Sequence, residues 1–379
     1  MAQAADGAGA GVGESLSFLI GALGAGFFVL VLLATCLTCL QIVFTLPHRA
    51  RPSVPWTGWG VTGLLLLFVF CQTLGATAAA SLKAPSPWGA LGAAQAIGSA
   101  SLGDGAGAET SDAIFSALAT RAQLEFAVWP LTGAMLGELV FLAIMIASLR
   151  RSGASWDDLG LARTEWLTDA NLAKTAFFGV IPISLVLQGV LVKLLGDDAR
   201  QHPLIEMLRE SPPVGFWIAS GLTAVIVAPI VEEMVFRVLL QGWLTRKENE
   251  GSSGGWIPGH RGWGPILIAS VIFAAIHANA WPAPIPLFFV ALALGRLYDA
   301  TGRAAPAIML HMALNGFSFA LLLITTLNAP PDASEPTKLT EPTSAATAEA
   351  TPGATNPLEV EPKKTEAAAS EETAASKLN

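Results

Sequence analysis

The chain has 379 residues, 53% of them hydrophobic and only 13% charged, a balance that belongs to polytopic membrane proteins. Its net charge of −8 is concentrated at one end, because the last 52 residues, from Asn328, hold nine Asp or Glu and four Lys. That acidic surplus excludes nucleic acid as a partner, which needs a basic patch, and three cysteines, all inside apolar runs, are too few for a disulfide framework.

Crossing a hydrocarbon core about 30 Å thick takes about 20 apolar residues. The first run covers 16–46; it is preceded by Asp6 and Glu14 with no Lys or Arg, and is too long for a signal-peptide core, so it reads as a retained anchor. Its Cys36 and Cys39 form a C-x-x-C with no further ligand group nearby and read as small buried residues. The second and third runs cover 56–82 and 126–149, and the stretch between them, Gly- and Ala-rich from 84 to 108, reads as a flexible loop. Residues 152–171 alternate Trp156, Leu159, Leu161, Trp166 and Leu167 with charges, the pattern of a segment lying in the membrane interface. Five more runs follow at 175–195, 216–240, 263–278, 285–298 and 306–327. The remainder is rich in Ala, Thr, Pro and Glu and cannot bury enough apolar surface to order itself. The expected fold is all-α, a polytopic membrane helix bundle of about eight transmembrane helices with a disordered C-terminal tail.

Lys and Arg of short loops collect on the cytoplasmic side. Basic residues follow the first, third, fifth and seventh runs (Arg49 and Arg51; Arg150 and Arg151; Arg246 and Lys247; Arg303), which directs both termini away from the cytoplasm. Trp56, Trp129 and Trp263, near run ends, read as interfacial anchors, and Arg296 and Arg303 as cytoplasmic-end charges.

Three charges interrupt the fifth run, in Val231–Glu232–Glu233–Met234–Val235–Phe236–Arg237. Each costs at least about 2.5 to 3.5 kcal/mol at bilayer depth, so their presence points to function. Glu233 and Arg237, four apart, share a helix face and are expected to pair; Glu232 has Phe236 on its own face and is free to move protons. The next run holds Phe273 and His277 four apart, and the last holds His311 and Asn315 four apart. A carboxylate with a histidine can deprotonate a water, and a second histidine with an amide can donate to an oxyanion, a set sufficient for water attack on a peptide carbonyl. His277 falls toward the outer end of a short run, so either the boundary shifts or the helix is broken there.

The ordered motifs E-E-x-x-x-R, F-x-x-x-H and H-x-x-x-N, present as EEMVFR, FAAIH and HMALN, resemble the CAAX prenyl protease and bacteriocin-processing family of intramembrane endopeptidases, also called CPBP or Abi. The approach YDATGRAAPAIMLH and the element DLGL at Asp158 to Leu161 are similar to that family as well, and the resemblance spans about 155–319. It implies a division into a three-span region at 1–150, a catalytic membrane domain at 151–327 and the tail at 328–379. It further implies that Glu232 with His277 activates the water, that His311 and Asn315 form the oxyanion hole, and that Glu233 and Arg237 support them. The implied substrate is a peptide or protein segment in the lipid bilayer of a bacterial cell membrane, hydrolysed by a glutamate-type protease without a cofactor. Zinc is the alternative, with Glu232, His277 and His311 as ligands. Intramembrane Glu, His and Arg also build proton-coupled transporters, and a non-catalytic membrane scaffold or immunity protein is the third reading. Glu138, in the third run, reads either as a counter-ion for Arg237 or Arg296 or as a packing carboxylate bonded to a neighbour.

Overall fold

The computed structural model describes residues 26, 29–49, 54–83, 108–161, 165–196, 208, 214–251 and 255–328, with side chains of the third helix described from residue 127. The readings of 84–107 as a loop and of the acidic tail beyond 328 lie outside these residues. Among them every regular element is helical: α1 (Val29–Thr45), α2 (Gly58–Lys83), α3 (Ala108–Arg151), α4 (Trp166–Leu195), α5 (Val214–Gly251), α6 (Trp263–Ala275), α7 (Pro284–Thr301) and α8 (Ala305–Leu327). Helix is what hydrocarbon demands, since it satisfies each backbone N–H and C=O within its own segment. Five helices, α2, α3, α4, α5 and α8, are long and apolar enough to cross a bilayer; α1 and α6 are shorter apolar helices, and α7 carries Arg296 and Asp299.

Three boundaries differ from the sequence expectation. Helix α3 begins at Ala108, so residues 108–125 continue the helix below its apolar part instead of looping. Residues 166–171 are the first turns of α4, where the buried Asp169 accepts from Arg303 Nε at 2.8 Å. Helix α6 stops at Ala275, so His277 stands in the turn before α7, and the broken-helix option applies.

Helices α2 and α3 make the most extensive contact. Gly75, Gly133 and Gly137 let the two backbones touch: a Cβ at Gly133 or Gly137 would run into the carbonyl of Gly75 or Cys71. This is the small-residue packing by which membrane helices associate. Helix α1 lies on α4, with the buried Cys36 thiol donating to the Gly179 carbonyl at 2.9 Å. Helix α5 is the hub, contacted by α3, α6, α7 and α8. One apolar cluster runs from Trp56, Val61 and Leu64 through Phe141 and Met145 to Val231, Val235 and Phe273.

Two residues given topological roles by the sequence are interior. Trp56 is 2% exposed and donates from Nε1 to the Leu239 carbonyl at 3.0 Å, so it packs the core and does not anchor the interface. Arg296 is buried against Asp299, Nη1 to Oδ2 at 2.6 Å, and Asp299 in turn meets His48 Nδ1 at 2.9 Å. The Asp158 element forms a docked turn: the Ser155 amide donates to Asp158 Oδ2, Leu159 is fully buried, and the Gly160 carbonyl accepts from the Ala304 amide.

Candidate active site

Helix α5 is continuous, but its winding changes twice. Leu222–Val227 and Met234–Gln241 are wide turns, with the amide of Ala228 reaching the Thr223 carbonyl and that of Gly242 the Arg237 carbonyl, five residues back in each case. Pro229 accounts for the first: it offers no N–H to the Val225 carbonyl and its ring crowds that carbonyl, so the preceding turn opens. Between the two wide turns lies a regular segment, Ala228–Glu233, that carries both glutamates.

Glu233 and Arg237 are each 0% exposed, and Arg237 Nε donates to Glu233 Oε2 at 2.9 Å. The other carboxylate oxygen, Oε1, is 2.9 Å from His311 Nδ1, which donates to it. This fixes the ring so that its Nε2 faces Glu232, 3.8 Å from Oε2. His311 therefore stands between the two glutamates. Glu232 retains 20% side-chain exposure and makes no hydrogen bond among the described residues; His311 Nε2 is the ionisable group that comes within 4 Å of its carboxylate.

Phe273, 1% exposed, is the floor of the site. Its ring lies 5.2 Å from Phe236 edge-on, 5.1 Å from His277 and 5.8 Å from His311, with the Arg237 guanidinium 5.4 Å from its centroid. The sequence marked Phe273 only as the start of its motif, and its contacts with helices α5 and α8 were not readable there. His277 donates from Nδ1 to the Phe273 carbonyl at 2.8 Å, which leaves Nε2 uncommitted.

Asn315 Nδ2 donates to the Ala224 carbonyl at 2.8 Å. The reason is local: in the wide turn the Ala228 amide goes to Thr223, and the next residue, Pro229, has no amide to give. One amide hydrogen of Asn315 is thus spent on helix α5, and the second remains available. The structure brings Glu232, Glu233, Arg237 and His311 into one connected group, sets His277 on the Phe273 ring that His311 also meets, and ties Asn315 to the α5 backbone at Ala224. Pro229, three residues before Glu232, was the signal in the sequence for that wide turn.

Glu138 approaches from α3. It is 6% exposed and accepts from Gln72 Nε2 at 2.7 Å, so of its two expected roles the hydrogen-bonded packing carboxylate is the one present. Among the described residues no group of three or more His, Cys, Asp or Glu side chains is arranged to hold a metal ion. Glu232, His277 and His311, the zinc set considered from the sequence, are not so arranged.

No curated protein and no solved structure matches the chain. Residues 214–317 do match the family model described as type II CAAX prenyl endopeptidase Rce1-like. The match runs from the start of α5 into α8 and contains Glu232, Glu233, Arg237, His277, His311 and Asn315. The stretch 214–317, about a quarter of the chain, is therefore similar to the Rce1-like type II CAAX prenyl endopeptidases, in keeping with the CAAX protease and bacteriocin-processing family.

Proposed function

We propose that this protein is an intramembrane endopeptidase of the glutamate type, acting on a peptide or protein segment within the bilayer. The observation that carries this reading is the unequal treatment of the two adjacent glutamates. Glu233 is saturated by Arg237 and His311, while Glu232 is partly exposed, makes no hydrogen bond among the described residues and has His311 Nε2 3.8 Å away, with His277 on the same Phe273 ring. A structural charge is saturated with hydrogen bonds; a carboxylate left without one inside an apolar helix bundle is suited to proton transfer.

Glu232 takes a proton from the attacking water, and His277, through its uncommitted Nε2, holds that water. His311, when doubly protonated, keeps one N–H on Glu233 and presents the other toward the oxyanion that forms as the carbonyl is attacked. Asn315 adds its remaining amide hydrogen. Glu232 then passes its proton to the leaving amine. The ion pair of Glu233 and Arg237 holds the His311 ring in place. In this reading water is activated without a bound metal.

The test is cleavage of a substrate found by comparing membrane proteomes of cells with native protein and with Glu232→Gln. Purified Glu232→Gln is expected to fold like the native chain and to show no cleavage, because an amide cannot accept the water's proton. His277→Ala falls comparably, and Asn315→Ala loses about 10²- to 10³-fold. Strong chelators leave native activity unchanged. Cleavage by Glu232→Gln at the native rate would sink the proposal and move a transporter ahead of it.

A further inference from the structure

Arg237 carries buried donors that the ion pair does not use. Its Nε goes to Glu233 and its guanidinium lies 5.4 Å from the Phe273 ring, but Nη1 and Nη2 have no hydrogen-bond partner among the described residues. Four residues on, Gln241 is 1% exposed; its Nε2 donates to the Gly295 carbonyl at 3.0 Å, and its buried Oε1 has no partner. Across from them on α6, Ser270 is 0% exposed and its hydroxyl is equally unpartnered. A hydroxyl in a helix ordinarily settles by donating to the carbonyl four residues back, as those of Thr73, Thr132, Thr245 and Thr301 do here. That of Ser270 does not, so it is left for a partner off its own helix.

Printed contacts on either side of Ser270 place all three groups on one seam. Arg237 meets α6 at Phe273. Gln241 meets it at Ile266, since a Cβ on Gly295 would stand 3.1 Å from both Gln241 Oε1 and Ile266 Cγ2. Ile266, Ser270 and Phe273 are spaced by four and three residues and form one stripe of α6. Ser270 therefore stands between the two contact points, opposite Arg237 and Gln241.

A cationic donor, an amide acceptor and a hydroxyl that can do either thus face one buried seam without bonding one another. A bound cation would meet the guanidinium, and a bound anion would meet the Gln241 oxygen beside an arginine that Glu233 already balances. Water suits the set, because one molecule takes about two to four partners and both donates and accepts. We propose that the seam between α5 and α6 is a site for internal water, which accepts from the Nη groups of Arg237, donates to Gln241 Oε1 and has Ser270 Oγ as its third partner. Hydrated from this side, Arg237 holds its charge at full burial, and through it the Glu233 carboxylate that bonds His311. The proposal does not depend on the peptidase reading.

Radiolytic labelling of the full-length protein in detergent tests it without a substrate. X-rays turn bound water into hydroxyl radicals, which oxidise the side chains that touch it, and mass spectrometry reads the sites. Ile266 and Phe141 are both 0% exposed, but only Ile266 borders the seam. Ile266 is expected to be oxidised and Phe141 to stay unmodified, although an aromatic ring is the more reactive of the two. Ser270→Ala removes one partner and lowers the label at Ile266 several-fold, while Ser270→Thr keeps the hydroxyl and the label. Gln241→Leu acts like Ser270→Ala, and the two together lower Tm by less than the sum of their separate effects, since they share one bridge. An unlabelled Ile266 in the native protein overturns the inference whether or not any variant folds. So does a label that is unchanged in folded Ser270→Ala, or strictly additive Tm shifts.

Discussion

Arg237 has lost all contact with solvent, and only its Nε finds a hydrogen-bond partner among the described residues; Nη1 and Nη2 have none. Its charge is balanced by the Glu233 carboxylate on one side and the Phe273 ring on the other, 5.4 Å from the guanidinium. Glu233 serves two cations or donors at once, so the two variants are not equivalent. Arg237→Ala strands one buried carboxylate and is expected to lower stability by about 3–5 kcal/mol. Glu233→Gln removes the charge that pairs with Arg237 and leaves one acceptor oxygen where His311 and Arg237 each had their own, so it lowers both stability and activity. Thermal unfolding in detergent checks both: an Arg237→Ala protein that melts like the native chain would show the pair to be energetically idle.

At the scale of elements, the Gly133 and Gly137 contact makes a sharp expectation. Backbones in contact leave no space for a side chain, and a membrane offers no hydrophobic gain to compensate for lost packing. Gly137→Leu is expected to force α2 and α3 apart, at a cost of at least about 1–3 kcal/mol, and to remove Glu138 from Gln72. Crosslinking between cysteines placed across the α2–α3 contact reads this directly, and native crosslinking in the variant would refute it. Periodicity made the helices themselves legible, because 20 apolar residues in a row have few alternatives in lipid. The Glu233 and Arg237 pair was legible for a similar reason: four residues apart on a helix is a local geometry. His311 was not legible as the partner of Glu233, since 78 residues separate them and only the packing of α8 on α5 decides which ring nitrogen faces which glutamate. The same holds for Gln72 and Glu138, 66 residues apart. Trp56 was misread because a tryptophan near a run end has the same local sequence whether it meets headgroups or, as here, the carbonyl of a wide turn.

For the whole molecule, the family match ends well short of what the site leans on. Helix α5 deviates from regular winding on both sides of its glutamates, and each deviation is secured from elsewhere in the fold: Asn315 of α8 holds the Ala224 carbonyl, and Trp56, before α2, donates to that of Leu239. Arg246 at the end of α5 donates from Nη1 to the carbonyls of Val54 and Trp56, both at 3.0 Å. Phe141, Met145 and Leu149 of α3 belong to the same apolar cluster as Val231, Met234 and Val235. Removing residues 1–150 would therefore uncover one side of α5 and take from the Leu239 carbonyl its Trp56 donor, leaving it only the Gly242 amide it shares with Arg237. A chain of residues 151–379 expressed alone is expected to insert but to aggregate on extraction and to show no cleavage. Co-expressed with a separate 1–150 fragment, it is expected to recover a stable complex and a measurable fraction of activity, because what is missing is packing and hydrogen bonds, not covalent continuity. Size-exclusion profiles and cleavage of the same substrate by the two preparations decide it. A monodisperse, active 151–379 fragment would show that α4 to α8 carry their own core and that α2 and α3 serve some other purpose.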